Sequence, residues 1–208
     1  MPRHRARPAG CTVSDTVLKK GRSAAVSLLL LATVLATSTA SSKEPVRPIG
    51  CGEALAFTKR TLVDKTPVDL CETYGGQVVL IVNTASKCAY TPQYEGLEAM
   101  YRKYRSRGFV VLGFPSADFA NQEYKGEKQI QEFCRLTYGV QFPMFEKTRV
   151  AEHQAGPMYR KLAQLSGQYP QWNFHKYLLD RNGKLVGSFV SAVPPEDPKL
   201  VKAIEALL

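Results

Sequence analysis

Val78-Val79-Leu80-Ile81-Val82-Asn83-Thr84-Ala85-Ser86-Lys87-Cys88-Ala89-Tyr90-Thr91-Pro92-Gln93-Tyr94 is the stretch on which the reading of this chain turns. Its first five residues form an unbroken apolar run rich in β-branched side chains, the pattern of a strand buried on both faces within a sheet. The chain then turns polar. Thr91-Pro92 supplies a helix cap followed by the residue best tolerated at a first helical position, and Glu95 adds an acid to the first turn. Tyr94, Leu97, Tyr101 and Tyr104 recur at helical spacing as far as Arg107, and Gly108 follows where a left-handed terminal residue is wanted. Cys88 thus stands on a loop between a buried strand and a helix start. There, free backbone N–H groups and the positive end of the helix dipole face a sulfur that is nucleophilic when ionised. Polar neighbours on both sides distinguish it from the inert buried thiol that a free cysteine usually is.

Working outward, the sequence at 67–70 reads as a short strand and Tyr74-Gly75-Gly76 as a turn. Phe109-Val110-Val111-Leu112-Gly113-Phe114 reads as a second buried strand, so strand, helix and strand make a right-handed parallel crossover. A polar loop covers 116–125, and a helix over 127–137 carries Ile130, Phe133 and Cys134 on one side. Phe142-Pro143-Met144-Phe145 is short and apolar, and Gly156-Pro157 opens a helix through Leu165. A strand at 176–179 passes through Asp180-Arg181-Asn182-Gly183, a hairpin turn, into a strand at 185–189. Pro194-Pro195-Glu196-Asp197 caps a last helix ending at Leu208. This order describes an α/β, thioredoxin-like architecture: a central mixed β-sheet flanked by helices on both faces.

At 208 residues the chain has room for one ordinary domain and an extension. Arg3, Arg5, Arg7, Lys19, Lys20 and Arg22 precede an apolar core over 24–36, and Thr37-Ser38-Thr39-Ala40-Ser41 offers a small-residue cleavage site. Residues 1–40 therefore read as a signal peptide, residues 41–65 as an arm, and 66–208 as the globular domain, exported to the periplasm or secreted. The competing reading is an uncleaved anchor, although the apolar stretch falls short of the roughly 18 to 20 residues of a membrane span. Pro48-Ile49-Gly50-Cys51 lies too far beyond that core to serve as a lipoprotein site, and there is no twin-arginine pair. Loss of the leader removes six basic residues and Asp15, lowering the net charge from +10 to +5. What remains has no Lys/Arg cluster interleaved with aromatics, so nucleic-acid binding is not expected. Cys11 leaves with the leader, and Cys51, Cys71, Cys88 and Cys134 remain. An oxidising compartment permits bridges among them, which spacing alone does not assign. No C-x-x-C pair occurs, and His4, His153 and His175 have no ligand spacing, so no metal is expected.

Five separated motifs occur in order: Val82 to Tyr94 around Cys88, Leu112-Gly113-Phe114-Pro115, Gln122-Glu123, Phe142-Pro143, and Trp172-Asn173-Phe174 with Lys176-Tyr177-Leu178. On these, residues 66–208 resemble the glutathione peroxidase family, which has the thioredoxin-like fold. The resemblance implies that Cys88 is the peroxidatic residue and that Gln122, Trp172 and Asn173 complete its catalytic tetrad. The chemistry suits those residue types: a thiolate attacking an O–O bond needs donors that support negative charge, and indole and amide N–H groups supply it without titrating. The implied substrates are hydrogen peroxide and organic or lipid hydroperoxides, and the scheme needs no cofactor.

Cys134 lies where thioredoxin-dependent members carry a resolving cysteine, which condenses with the sulfenic acid that peroxide makes of Cys88. A thiol on a helix must partly unwind it to come within about 6 Å, Cα to Cα, of its partner, so local unfolding of 127–138 belongs to that expectation. Two departures stand out. Phe114-Pro115-Ser116-Ala117-Asp118-Phe119 replaces the family's Phe-Pro-Cys-Asn-Gln-Phe, bringing a negative charge that would oppose an ionised Cys88 if Asp118 pointed inward. The segment between Tyr159 and Trp172 lacks the insertion of tetrameric, glutathione-using members, implying a monomer and favouring a thioredoxin-like protein dithiol as reductant, with glutathione the alternative. Cys51 and Cys71 have no place in the cycle and are expected to form a structural disulfide. A general thiol–disulfide oxidoreductase is disfavoured by the missing C-x-x-C, and a redox sensor or relay is the non-enzymatic rival.

Overall fold

The computed structural model describes residues 51–208, so the signal peptide expected over 1–40 and the first part of the arm lie outside the described residues. The described chain opens with a small hairpin in which β1 (Thr58–Arg60) pairs antiparallel with β2 (Pro67–Asp69), Lys59 opposite Val68. A short helix, α1 (Leu70–Tyr74), follows, its first N–H groups at Cys71 and Glu72 capped by the Asp69 carboxylate. The stretch 51–65, expected as an arm, is built into the fold: Ala54 and Leu55 are fully buried and β1 is a paired strand.

Every residue of β3 (Val78–Thr84) and of β4 (Phe109–Pro115) is buried. They pair in parallel, Val78 opposite Phe109 through to Thr84 opposite Pro115, with α2 (Gln93–Tyr104) in the crossover. Gly108, at a φ of 81°, ends the single 3₁₀ turn that continues α2 to Arg107. After α3 (Glu127–Tyr138) and α4 (Pro157–Ser166), β5 (Lys176–Leu179) pairs antiparallel with β3 and with β6 (Leu185–Phe189). The sheet is therefore mixed and four-stranded, in the order β4-β3-β5-β6. The turn at 180–183 closes with Gly183 N–H donating to Asp180 O, while the Asp180 carboxylate takes the N–H of Asn182 and Lys184. The last helix, α5 (Pro198–Glu205), starts at Asp197, whose carboxylate takes the Lys199 N–H.

Period-two alternation divides the sheet between two apolar layers. Val78, Leu80, Val82 and Val111 join Leu97 of α2, Ile130 and Cys134 of α3, and Leu200 and Ile204 of α5. Val79, Ile81, Val110, Leu112 and Phe114 join Leu55, Phe145, and Met158, Tyr159 and Leu162 of α4. Each buried aliphatic side chain contributes about 1.5 to 3 kcal/mol, so the central strands form the rigid base from which the site projects. Phe142-Pro143-Met144-Phe145 forms no full strand: Met144 makes an isolated bridge with Gly113 and Phe145 one with Thr61, while the Phe145 ring stacks on Phe114 of β4. Cys51 and Cys71 form a disulfide across a sequence separation of 20, with Cα atoms 5.2 Å apart. In the chain-entropy model that closure stabilises the fold by about 3 kcal/mol.

Candidate active site

Cys88 is reached by running off the C-terminal end of β3 into a tight loop, and it is 7% exposed. Thr91 does not cap α2, which has no side-chain cap. Its hydroxyl instead accepts the Cys88 N–H at 2.9 Å and donates to Ala85 O at 2.9 Å, closing the loop on itself. Thr91, Gln93, Tyr94 and Glu95 donate their N–H groups to the carbonyls three residues back, so the turn that becomes α2 starts at Cys88 itself. Tyr90 N–H points at the Cys88 sulfur, 3.4 Å away. A sulfur so placed meets a backbone donor in either protonation state and gains most from it as an anion.

Gln122 and Asn173 lie 51 residues apart in sequence, yet Asn173 Nδ2 donates to Gln122 Oε1 at 3.1 Å. Gln122 is also fixed to the cysteine loop, its carbonyl accepting the Lys87 N–H at 2.9 Å. Asn173 is fully buried, and its neighbour Trp172 is 36% exposed at the rim. The Trp172 ring lies 5.6 Å from that of Phe119, and its carbonyl accepts from Asn83 Nδ2 at 3.0 Å. The structure thus brings the loops of Cys88, Gln122, Trp172 and Asn173 to one end of β3. Backbone strain sits on the same segments. Ala120, Asn121 and Phe174 all have left-handed φ, of 51°, 52° and 64°, although none is glycine. Phe174 is held there by full burial and by donating its N–H to Asn83 O at 2.6 Å.

Asp118 does not face the cysteine loop. Its carboxylate takes the N–H groups of Val150 and Ala151 at 2.6 and 3.0 Å and pairs with Arg149. Cys134 is 2% exposed on α3, packed in the same apolar layer as Cys88, and both cysteines are free thiols. Burial pushes the Cys134 thiol up to about 12. Glu127 ties the N-terminal end of α3 to Lys65 and to the Lys147 N–H. Further along, only Ile130 and Cys134 are buried, and Leu136 lies open to solvent. Phe133 and Tyr138 pack their rings against Tyr124 and Tyr94, so aromatic contacts hold that half of the helix. Among the described residues no cluster of His, Cys, Asp or Glu is arranged to hold a metal.

Two buried groups beside the site went unread in the sequence. His175 is packed against Tyr177 and bonded through Nε2 to Ser188 Oγ, and burial drives it down to about 4, so it is neutral near pH 7. Lys176 is fully buried, its ammonium donating to Gln93 Oε1, Phe174 O and Val193 O at 2.7 to 2.8 Å. It clips the first turn of α2 to the loop carrying Asn173. Burial lowers it from 10.5 to about 7, against the opposing charge of Glu196. In the unfolded chain the same lysine holds its proton up to its ordinary range. As pH rises from 7 toward 10.5 the unfolded state therefore binds more protons, and this group's share of stability grows by at most about 1.4 kcal/mol per pH unit. Lys176→Met strands three acceptors and removes that slope. Urea unfolding is expected to show it less stable than wild type at pH 7, with the gap widening by pH 9.

A family model described as glutathione peroxidase matches residues 56–163. A glutathione peroxidase-like peroxiredoxin of Schizosaccharomyces pombe is 45% identical over 137 residues, covering 64% of this chain and 85% of that protein. A hydroperoxy fatty acid reductase of Synechocystis sp. is 42% identical over 156 residues, covering 70% of this chain and 90% of that protein. Among solved structures, Trgpx in its apo form superposes with a TM-score of 0.58 at 33% identity, covering 76% of this chain and 96% of that one.

Proposed function

Because the chain belongs to the glutathione peroxidase family, we propose that Cys88 is its peroxidatic residue, with Gln122, Trp172 and Asn173 as the donors around it and Cys134 as the resolving thiol. The enzyme is a thiol peroxidase that reduces hydroperoxides. The observation that carries the assignment is the pair of hydrogen bonds by which Gln122 joins the Cys88 loop through Lys87 and the Trp172 loop through Asn173. In the first step the Cys88 sulfur attacks one oxygen of the hydroperoxide. The O–O bond breaks, the other oxygen leaves as alcohol or water on taking up a proton, and Cys88 becomes a sulfenic acid. Neutral amide and indole donors stabilise the departing oxygen as charge builds on it.

Cys134 then displaces that oxygen as water, forming a Cys88–Cys134 bridge, and a thioredoxin-like dithiol restores both thiols. The step needs local unwinding of α3, which gives up the Phe133 and Tyr138 ring contacts. A cleft of about 380 Å³ beside the site, lined by Tyr90, Trp172, His175, Val190 and Ala192 among others, offers room for the organic part of a lipid hydroperoxide. The short segment between Tyr159 and Trp172 supports a monomer. The basic-then-apolar leader supports export, and a Cys51–Cys71 bridge suits an oxidising compartment.

The test is to treat the reduced protein with one equivalent of hydroperoxide, quench with an alkylating agent and map the cysteines by peptide mass. A Cys88–Cys134 bridge is expected within seconds, and none in Cys88→Ser. A wild-type protein that stops at Cys88 sulfenic or sulfinic acid, with Cys134 still reduced, would exclude the two-cysteine cycle.

A further inference from the structure

Three segments line the cleft of about 380 Å³ beside the site: Tyr90 from the turn that begins at Cys88, Trp172 and His175 from the loop ahead of β5, and Val190 to Ala192 from the turn after β6. They are far apart in sequence, yet one buried group is bonded beside all three. Lys176 Nζ donates to Gln93 Oε1 at 2.7 Å, to Phe174 O at 2.7 Å and to Val193 O at 2.8 Å. Gln93 lies one turn after Tyr90 and donates its own N–H to Tyr90 O at 2.9 Å. Phe174 follows Trp172 and Asn173, and Val193 closes the last turn by donating its N–H to Val190 O at 3.0 Å. Gln93 ties that turn a second time, its Nε2 donating to Ser191 O at 2.8 Å. With its oxygen on Lys176 and its nitrogen on Ser191, the Gln93 amide has both ends engaged and a fixed orientation.

Core filling does not account for this arrangement. An ammonium out of water is costly unless its donors find acceptors, and a Leu or Met would fill the space without that condition. What the ammonium adds is a meeting point, since three donors on one nitrogen hold three acceptors about it. Further along, the chain is seated against α2 at Gly96, where a Cβ would collide with the Glu196 carboxylate and crowd Pro195. Residues 190–193 thus span the interval between the end of β6 and that seat, and Lys176 and Gln93 hold the span to the rest of the site.

We propose that Lys176 and Gln93 are positioning residues that set the width of this cleft, and through it how well organic hydroperoxides compete with hydrogen peroxide for Cys88. This rests on the reading of Cys88 as the peroxidatic residue. Hydrogen peroxide brings little more than its O–O bond, so the cleft walls give it nothing. An organic hydroperoxide lays its carbon part between Trp172 and Val190, which are 36% and 44% exposed, and buries apolar surface against both. That gain depends on the separation of the walls. The two residues differ in reach. Lys176 also holds the carbonyl of Phe174, whose φ of 64° is left-handed and whose neighbour is Asn173, whereas the Gln93 side chain has no bond to that loop.

Gln93→Met keeps the length of the side chain and removes both of its bonds, and Lys176→Met removes all three of the ammonium's. Each reduced protein is mixed with hydrogen peroxide or with cumene hydroperoxide, and loss of the Cys88 thiol is timed by quenching with an alkylating agent and peptide mass. In Gln93→Met the ratio of the cumene hydroperoxide rate to the hydrogen peroxide rate is expected to fall about 10-fold, because the wall at 190–193 is freed. In Lys176→Met the ratio is expected to fall at least as far, and the hydrogen peroxide rate itself about 10-fold, because the loop carrying Asn173 is freed as well. Should Lys176→Met fail to fold, the Gln93→Met ratio decides alone. An unchanged ratio in Gln93→Met overturns the proposal, and if both rates fall together Gln93 is a brace for the cysteine turn. If wild-type Cys88 stays reduced under both hydroperoxides, the peroxidatic assignment falls first and the proposal with it.

Discussion

Cys88→Ser is expected to lower hydroperoxide turnover by about 10⁴-fold or more while the fold survives with a stability change within about 1 kcal/mol. The two halves of that expectation come from different properties of the position. Stability is spared because serine is smaller than cysteine by little, and its oxygen accepts the Tyr90 N–H that the sulfur now meets at 3.4 Å. The Thr91 latch acts on the backbone N–H of residue 88 and is indifferent to the side chain. Activity is lost because attack on an O–O bond depends on a polarisable, strongly nucleophilic sulfur, which a serine hydroxyl does not provide. Steady-state turnover with hydrogen peroxide and a dithiol, beside urea unfolding of the same samples, measures both. A serine variant that retains a tenth of the activity would move the chemistry to another residue.

Much of this arrangement was legible because local pattern and tertiary role agree. The apolar run at 78–82 has only one comfortable home, the middle of a sheet, and the burial of all seven residues of β3 follows from it. Cys88 is legible for the same reason, since a cysteine between a strand and a helix start is placed by both. What escaped was decided by partners far along the chain. Thr58-Lys59-Arg60 is polar and becomes a strand only because β2 lies beside it. Lys176 begins a strand whose pattern gives no hint that a charged residue there is buried. Its place is fixed by three acceptors drawn from Gln93, Phe174 and Val193. The contact between Asn173 and Gln122 spans 51 residues, so no spacing rule reaches it, and only the family motifs pointed to it.

Thr91 is the instructive misreading, and it carries the second large expectation. Thr-Pro ahead of an amphipathic run is what a capped helix looks like, yet here the turn begins three residues earlier and the hydroxyl is spent inside the loop, on Cys88 N–H and Ala85 O. Thr91→Val keeps the shape and removes both bonds. It leaves a buried N–H and a buried carbonyl unmet, at about 1 to 3 kcal/mol each, so a total loss of about 2 to 6 kcal/mol in urea unfolding is expected. The chemistry should suffer separately, because without the latch the Cys88 backbone drifts and the sulfur no longer holds its place against the Tyr90 N–H. Misplacement on the scale of an ångström costs up to about 10²-fold, and stopped-flow oxidation of Cys88 at a temperature where the variant is fully folded should show a loss of that order. Thr91→Ser, which restores the hydroxyl, is expected to recover both stability and rate. A valine variant that is less stable but oxidises Cys88 at the wild-type rate would reduce the latch to a structural tie, and the positioning of the sulfur would then rest on the α2 turn alone.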